Sequence, residues 1–371
     1  MSKAEYKRLG EYIEPVDERN SKLEIKLSQG ICNEKYFQDP RQVAENSAAD
    51  KIVRRGYFAY NRATTRNGEK ISIAYREGPD CTVSSAYQVF RIKDEEKLNP
   101  KYLLMWYKRP DFDKYARFRS HGSAHEFFEY EEMCDVRIPL PSIERQREIV
   151  SEYETLTNRI HLNNQMIQHL EATAQALYRK TFVANIDKEN LPQGWRMGTL
   201  GEIVECYDSK RRPVAGYVRD KMDPSKRIYP YYGAAALMDY VDDYIFDGDF
   251  ILMGEDGTVI NEDNTPVVQY VKGKFWVNNH AHILKGKNGF DENLLYLILS
   301  KVDVHELVTG GVQAKINQEN MMKIPVTIPP QDILSCTIKH VSPVFREIYL
   351  KQQEISKLTE LQSLLLAKMG Q

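Results

Sequence analysis

The sequence predicts an α+β chain made by tandem duplication. Two globular α/β regions are separated by two long antiparallel coiled-coil helices with pseudo-twofold symmetry. Three observations predict this. A long polar–apolar segment is written twice, its copies carry the same seven-residue period, and the stretch before each copy mixes strand and helix signals.

The duplication is collinear. Val136–Phe182 aligns with Ile324–Gly370 at a constant shift of 188, with identities at Pro141/Pro329, Ile160/Ile348, Leu162/Leu350, Gln165/Gln353, Ile167/Ile355, Leu170/Leu358, Leu177/Leu365 and Lys180/Lys368. "RLGEYIEPVD" from Arg8 matches "TLGEIVECYD" from Thr199, "VSSAYQVF" from Val83 matches "VNNHAHIL" from Val277, and "HGSAH" from His121 matches "GGVQAK" from Gly310. Matches in one order with slowly drifting shifts are the signature of a repeat. They divide the chain into a first globular region (1–141), a first long helix (142–183), a linker (184–194), a second globular region (195–329) and a second long helix (330–371).

Within the globular regions "KISIAYR", "DFILMG", "PVVQYV" and "KFWVNNHAHIL" read as strands, by alternation and β-branched content. "NPKYLLMWYKR" and "DENLLYLILSKV" read as helices. "VANIDKENLPQGWR" (183–196) is polar, with proline and glycine, and reads as a linker.

The helices follow from spacing. Ile149, Tyr153, Leu156, Ile160, Asn163, Ile167, Leu170, Ala174 and Leu177 alternate steps of four and three, the seam of a coiled coil. The second seam is Val341, Val344, Ile348, Lys351, Ile355, Leu358, Gln362 and Leu365. Asn163 and Lys351 are polar at the same seam position, which costs stability but fixes register. A seam of about 30 residues is long for a helix lying on its own domain, so the two helices are expected to pack on each other, each spanning roughly 45–55 Å at 1.5 Å per residue. Pro343 has no counterpart in the first copy and is expected to start or kink the second helix.

Composition narrows the chemistry. Net charge is -2, which argues against a chain basic all over but leaves room for basic faces. The five cysteines, Cys32, Cys81, Cys134, Cys206 and Cys336, are far apart in sequence, so neither a disulfide framework nor a zinc ribbon is expected. No signal peptide or membrane span is visible, and a cytoplasmic location is the expectation. There is no phosphate loop and no methyltransferase motif. His280 and His282 fall on one face of the strand read at "VNNHAHIL", but no further ligand is placed, so no metal is expected. The acidic run Asp239–Asp263 fits no calcium loop and reads as turns.

Basic clusters are more informative. Lys51, Arg54, Arg55, Arg62, Arg66, Lys70 and Arg76 face one acid, Glu69, within their stretch. "DKYARFRSHGSAH" (113–125) interleaves Arg117 and Arg119 with Tyr115, Phe118 and two histidines. "SKRRPVAGYVRDKMDPSKR" (209–227) has seven basic residues against Asp220 and Asp223. Cationic loops with polar and aromatic side chains suit phosphates and base edges.

With "LGEYIE" and "LPQGW…LGEIVE", then "VNNHAHIL", then "GGVQAKINQENMMKIPVTIPP" and a long helix, the chain resembles the DNA specificity subunits of type I restriction–modification systems, in both halves. "LPSIERQREIV" resembles the family's Pro-Leu-x-Glu-Gln run before its helix, with Arg145 at the Glu position and Gln146 and Ile149 kept. "PPQDILSC" keeps only the prolines. The resemblance implies two target recognition domains, each reading half of a bipartite DNA site, with helices that set the unread spacer. It implies no catalysis by this chain. It also implies double-stranded DNA, two adenine methyltransferase subunits and restriction/translocase subunits as partners, with S-adenosylmethionine and ATP used by those partners.

Candidate DNA-binding residues are Asn61, Arg62, Arg66, Arg117, Arg119 and His121 in the first region, and Lys210, Arg211, Arg212, Asn278, His280, Gln313 and Lys315 in the second. The loop "NRATTR" (Asn61–Arg66) corresponds to "GEDGT" (Gly254–Thr258), where Asp256 is read as holding a turn. The two sets differ, which predicts an asymmetric site. A free-standing bipartite DNA-binding regulator would share these loops, a metal-dependent nuclease would use His280 and Asp256, and a coiled-coil adaptor would bind no DNA.

Overall fold

A computed structural model describes residues 5–40, 47–64, 70–121, 126–184, 186–187, 189–310 and 313–370. The chain divides into two compact units, Met1–Asn163 with Glu354–Gln371, and Asn164–Gln353. Each unit therefore takes in part of both long helices.

The first unit forms β1 (Tyr6–Arg8), β2 (Ile13–Val16), β3 (Gly30–Ile31), β4 (Phe37–Gln38), β5 (Lys51–Val53), β6 (Phe58–Asn61), β7 (Ile73–Tyr75), β8 (Cys81–Val83) and β9 (Tyr87–Ile92), then α1 (Pro100–Tyr107), α2 (Pro110–Arg119), α3 (Tyr130–Asp135) and β10 (Arg137–Pro139), and runs into α4 (Ile143–Phe182). Its main sheet has the order β2-β9-β6-β7. Phe58 and Phe90 stack at 5.1 Å, Tyr107 meets both edge-on, Tyr60 meets Phe90 and Phe128 edge-on, and Phe128 meets Phe112 edge-on, in a core that also takes Val150 of α4. α1 starts where Asn99 accepts the Lys101 and Tyr102 N–H groups and Pro100 supplies a preset φ.

Gln146 fastens α4 to this unit. Its side chain is fully buried, accepts the Asn99 N–H at 2.8 Å, and donates to the carbonyls of Lys97 and Pro141 at 3.0 Å each. Gln146→Ala strands these buried groups and is expected to lower unfolding stability by about 1–3 kcal/mol, measured by denaturant titration. At the shift of 188 the second copy has Leu334, buried in an apolar core, so the departure from the motif there replaces a hydrogen-bonded lock by an apolar one.

The second unit contains β11 (Arg196–Thr199), α5 (Leu200–Ile203), β12 (Val204–Cys206), α6 (Gly216–Arg219), β13 (Tyr229–Tyr232), β14 (Leu237–Val241), β15 (Phe246–Gly254), β16 (Val268–Val277), β17 (Ala281–Gly286), α7 (Glu292–Leu299), α8 (Gln318–Met322), β18 (Pro325–Ile328) and the first part of α9 (Gln331–Lys368). The sheet order is β12-β17-β15-β16-β13-β14. "KFWVNNHAHIL" is not one strand. The Asn278 Oδ1 accepts the His280 N–H at 2.8 Å and turns the chain between β16 and β17. His280 is in that turn and His282 in β17, so the expected shared face does not exist.

The duplication is legible bond by bond. Thr64 N–H donates to the Glu126 carbonyl and Phe128 N–H to that of Arg62; in the second unit Gly257 donates to Ala314 and Ile316 to Glu255. His121 and Phe127 exchange two backbone bonds, as do Thr309 and Lys315. β1 pairs antiparallel with β10 as β11 does with β18. These partners follow the collinear order found in the sequence, at shifts of 188 to 193, with Thr309 and not Gly310 in the place of His121.

On the seams, Ile149, Tyr153, Leu156, Ile160, Ile167, Leu170 and Leu177 are half-buried and Asn163 is buried. Val341 and Ile348 are buried, and Val344, Lys351, Ile355, Leu358 and Leu365 are half-buried. In the first unit Thr157 bonds Gln362 at 2.7 Å and Arg159 pairs with Glu354 at 2.6 Å, so α4 and α9 run antiparallel there. In the second, Ala174, Tyr178 and Phe182 share a core with Leu334, Val341 and Phe345. Pro343 does not start α9, which begins at Gln331. Pro343 and Lys339 are exposed, so the carbonyl that loses its N–H partner lies on the solvent side. No helix among the described residues is long and apolar enough to cross a membrane.

Candidate nucleic-acid interface

In the first unit the candidate residues gather where β6 ends. The Asn61 Oδ1 accepts the Ala63 N–H at 3.1 Å and turns the chain out of the sheet. The strand-like stretch at Phe127 is held on one side by Ala63 and on the other by His121, just past α2. Asn61, Arg62, Arg117, Arg119 and His121 thus converge. Arg66 lies outside the described residues. The cations do not stand alone. Arg62 pairs with Glu129 at 3.2 Å, Arg117 with Glu126 at 2.6 Å, Arg119 with Glu132, and His121 lies 3.6 Å from Glu132. Partly exposed pairs such as Arg62–Glu129 and Arg117–Glu126 contribute about 0–1 kcal/mol, so a phosphate can compete for these cations, while Glu132 is more deeply set. Phe118, between the two arginines, is 82% exposed.

The wider basic run is less free than its local count suggested. Lys51 is buried and pairs with Asp17 at 3.3 Å, Arg54 meets Glu18 and Asp80, and Lys70 meets Glu34 at 2.7 Å. Arg76 is buried against Gln29 and the Pro79 carbonyl. The balancing groups come from outside the run.

In the second unit β15 ends at Gly254 and the loop reverses with Gly257 at φ +83°, a conformation that strains any residue with a Cβ. Arg211 is the centre of the network beneath it. It pairs with Glu255, lies 3.4 Å from Asp208, and donates to the carbonyls of Asn279 and Ala281 at 3.2 and 3.0 Å. Glu255 also meets Lys315 at 3.3 Å. The fully buried His282 has Asp208 2.5 Å from Nδ1 and the Ile316 carbonyl 2.8 Å from Nε2, two acceptors facing both ring nitrogens. Burial pushes the carboxyls of Asp208 and Glu255 up. The hydrogen bond and charge of His282 on Asp208, and of Arg211 on Glu255, more than offset this and hold both below their usual range. Asp256 accepts from His280 at 2.5 Å, which ties the loop to the β16–β17 turn.

The sequence profile described as type I restriction modification DNA specificity domain matches residues 46–172 and again residues 192–360. The chain belongs to this family. A protein named as a type I restriction enzyme specificity subunit from Haemophilus influenzae is 32% identical over 140 residues, 38% of this chain and 34% of that protein. The type I restriction enzyme EcoprrI specificity subunit of Escherichia coli is 22% identical over 142 residues, 38% of this chain and 33% of that one. Each match spans about a third of the relative's length. The crystal structure of a type I restriction–modification S subunit from M. genitalium shares the fold at TM-score 0.60 and 14% identity, over 100% of this chain and 97% of that one.

Within this specificity-domain pair, burial sorts the second unit's candidates. Lys210, Arg212 and Gln313 are exposed, and His280 and Lys315 half-buried. The Lys210 ammonium lies 4.8 Å from the Tyr207 ring centre, and the Arg212 carbonyl takes the Trp276 indole N–H, leaving its guanidinium outward. Arg211 and Asn278 are framework: Asn278 is 4% exposed, and its amide is spent on the Met238 sulfur and the His280 N–H. Sequence reasoning missed Asp208 and Glu255. The signal for Asp208 was in the repeat, since "RLGEYIEPVD" and "TLGEIVECYD" both end in aspartate.

The donor atoms of Cys206, Asp208 and His282 lie within 4.8 Å of one another. This trio does not suit a metal-dependent nuclease. Asp208 already serves His282 and the Ile283 N–H, Arg211 adds positive charge beside it, and burial pushes the Cys206 thiol up to about 12.

Proposed function

We propose that this chain is the DNA-reading subunit of a type I restriction–modification complex, and that each unit reads one half of an asymmetric bipartite site. The tandem profile match carries the reading: two specificity domains fall on two units, each with a polar, cation-bearing loop cluster at the end of its sheet. The loops are chemically different at matched places. Arg62 stands where the second unit has Glu255, and Phe127 where it has Lys315, so the two half-sites differ. The continuous 40-residue α4 and 38-residue α9 support helices that set the unread spacer and offer surfaces to two adenine methyltransferase subunits, with restriction/translocase subunits joining the complex. Methylation with S-adenosylmethionine and ATP-driven translocation belong to those partners, this chain supplies no catalysis, and the complex works in the cytoplasm.

The test is mapping of methylated adenines in cells expressing this chain with its methyltransferase subunit. A split motif of two short blocks around a fixed gap, vanishing when this chain is deleted, is the expected result; an unchanged methylome overturns it. In a binding assay with the assembled complex, Lys210→Ala is expected to weaken DNA binding and to reduce the slope of log K against log salt by about 1.

A further inference from the structure

We infer that a lysine-lined cavity in the first unit, apart from the loop cluster at the end of β6, binds a phosphate-bearing anion. The cavity holds about 470 Å³ between the loop at Glu34 and Lys35, the start of α2, and the faces of α4 and α9 at Tyr153 and Leu366. That is the size range of small-ligand sites. Four ammonium groups line it, from Lys35, Lys70, Lys108 and Lys114, against two carboxylates, Glu34 and Asp113.

Both carboxylates are committed. Glu34 pairs with Lys70 at 2.7 Å and Asp113 with the buried Lys35 at 2.5 Å, while Asp113 also takes the Ile71 N–H at 3.1 Å. Lys108 and Lys114 have no carboxylate within ion-pair distance among the described residues. Lys108 is half-buried, its ammonium 5.3 Å from the Tyr153 ring centre, and burial holds its pKa below the ordinary lysine value with only Glu77 opposing. A cation taken from water without a counter-ion is costly, and a bound anion removes that cost. Lys108 also caps the C-terminus of α1, where a cation is favoured. That bears on Lys108 alone and leaves Lys114 without a balancing group among the described residues, while Lys35 and Lys70 are held by their carboxylates. The backbone supplies a second, independent observation. Lys35 has φ +66°, a left-handed conformation rare outside glycine, and so the chain is strained where it delivers a buried ammonium to the cavity wall.

The phosphate has two candidate sources: a free phosphate compound or the DNA backbone. The full chain is titrated with inorganic phosphate at constant ionic strength in chloride buffer, following the phosphorus NMR line and the melting temperature. Saturable broadening with a rise in melting temperature is expected. Half-saturation should move at least ten-fold up in Lys108→Met and at least three-fold in Lys114→Gln, and stay unchanged in Lys323→Ala, an exposed lysine outside both the cavity and the loop clusters. Lys108→Met removes an uncompensated charge and should melt no lower than wild type in phosphate-free buffer. If it does not fold, the exposed pair Lys70→Gln with Lys114→Gln decides in its place. Displacement of phosphate by a short DNA duplex assigns the site to backbone contact, and retention assigns it to a free ligand. No saturable response, or equal half-saturation in wild type and the cavity variants, overturns the inference.

Discussion

Asp208→Ala is expected to unfold the second unit at a markedly lower denaturant concentration while the first unit's transition stays in place. The Asp208 side chain is 7% exposed and that of His282 1%. Removing the carboxylate leaves the His282 Nδ1 and the Ile283 N–H without their acceptor and frees one side of Arg211. Breaking a buried pair in this way costs about 3–5 kcal/mol, a large part of the roughly 5–15 kcal/mol that typically holds a domain. The matched residue of the first unit is the control. Asp17 is 65% exposed, so water can take its place beside Arg19 and the buried Lys51, and Asp17→Ala should cost less than Asp208→Ala. The pH dependence has a defined sign. Because the fold holds the Asp208 carboxyl below its ordinary value, its ionic contribution is complete above the unfolded-state pKa of about 3.9 and fades as pH falls through the folded value. The gap between wild type and Asp208→Ala should therefore narrow below about pH 4. An equal gap at pH 7 and pH 3 would show that the carboxylate's charge is not what holds the site.

The comparison with Asp17 also shows what the sequence could carry. Collinear repeats give backbone register, because an N–H to carbonyl bond depends on chain position and not on side-chain identity. Hence Thr64–Glu126 and Gly257–Ala314 are bonded alike although none of the four residues match. The heptads were legible for a similar reason, since burying a helix stripe constrains spacing directly. Side-chain partners were not legible. Arg62, Arg117 and Arg119 sit in basic stretches, and their acids, Glu129, Glu126 and Glu132, come from a segment that the fold returns to them. Arg211 and Arg212 are adjacent in sequence, yet one closes a buried network and the other projects outward. The turn at Asn278 was hidden because flanking β-branched and aromatic residues give a strong strand signal. A single side-chain hydrogen bond to the backbone overrides it.

That contrast between neighbouring arginines leads to the functional prediction with the largest effect. Arg212→Ala combined with Gln313→Ala removes two exposed polar side chains of the second unit, of which the Gln313 amide lies beside the loop, where a Cβ on Gly257 would meet it at 3.7 Å. Neither side chain holds the fold, so melting should change little. A lost base contact costs about 1–3 kcal/mol, and two lost together cut methylation of the cognate site roughly 30-fold or more at limiting complex. The loss has a direction. Only the half-site read by the second unit should relax, with the other block of the split motif and the gap between them unchanged. The paired substitutions Arg117→Ala and His121→Ala in the first unit should relax the opposite block. Arg211→Ala should behave differently from both, lowering stability and methylation together without relaxing either block, because it frees Glu255 and Asp208 inside the network. Methylome mapping of the three variants separates the cases. Relaxation of both blocks by either surface pair would refute the assignment of one half-site to each unit.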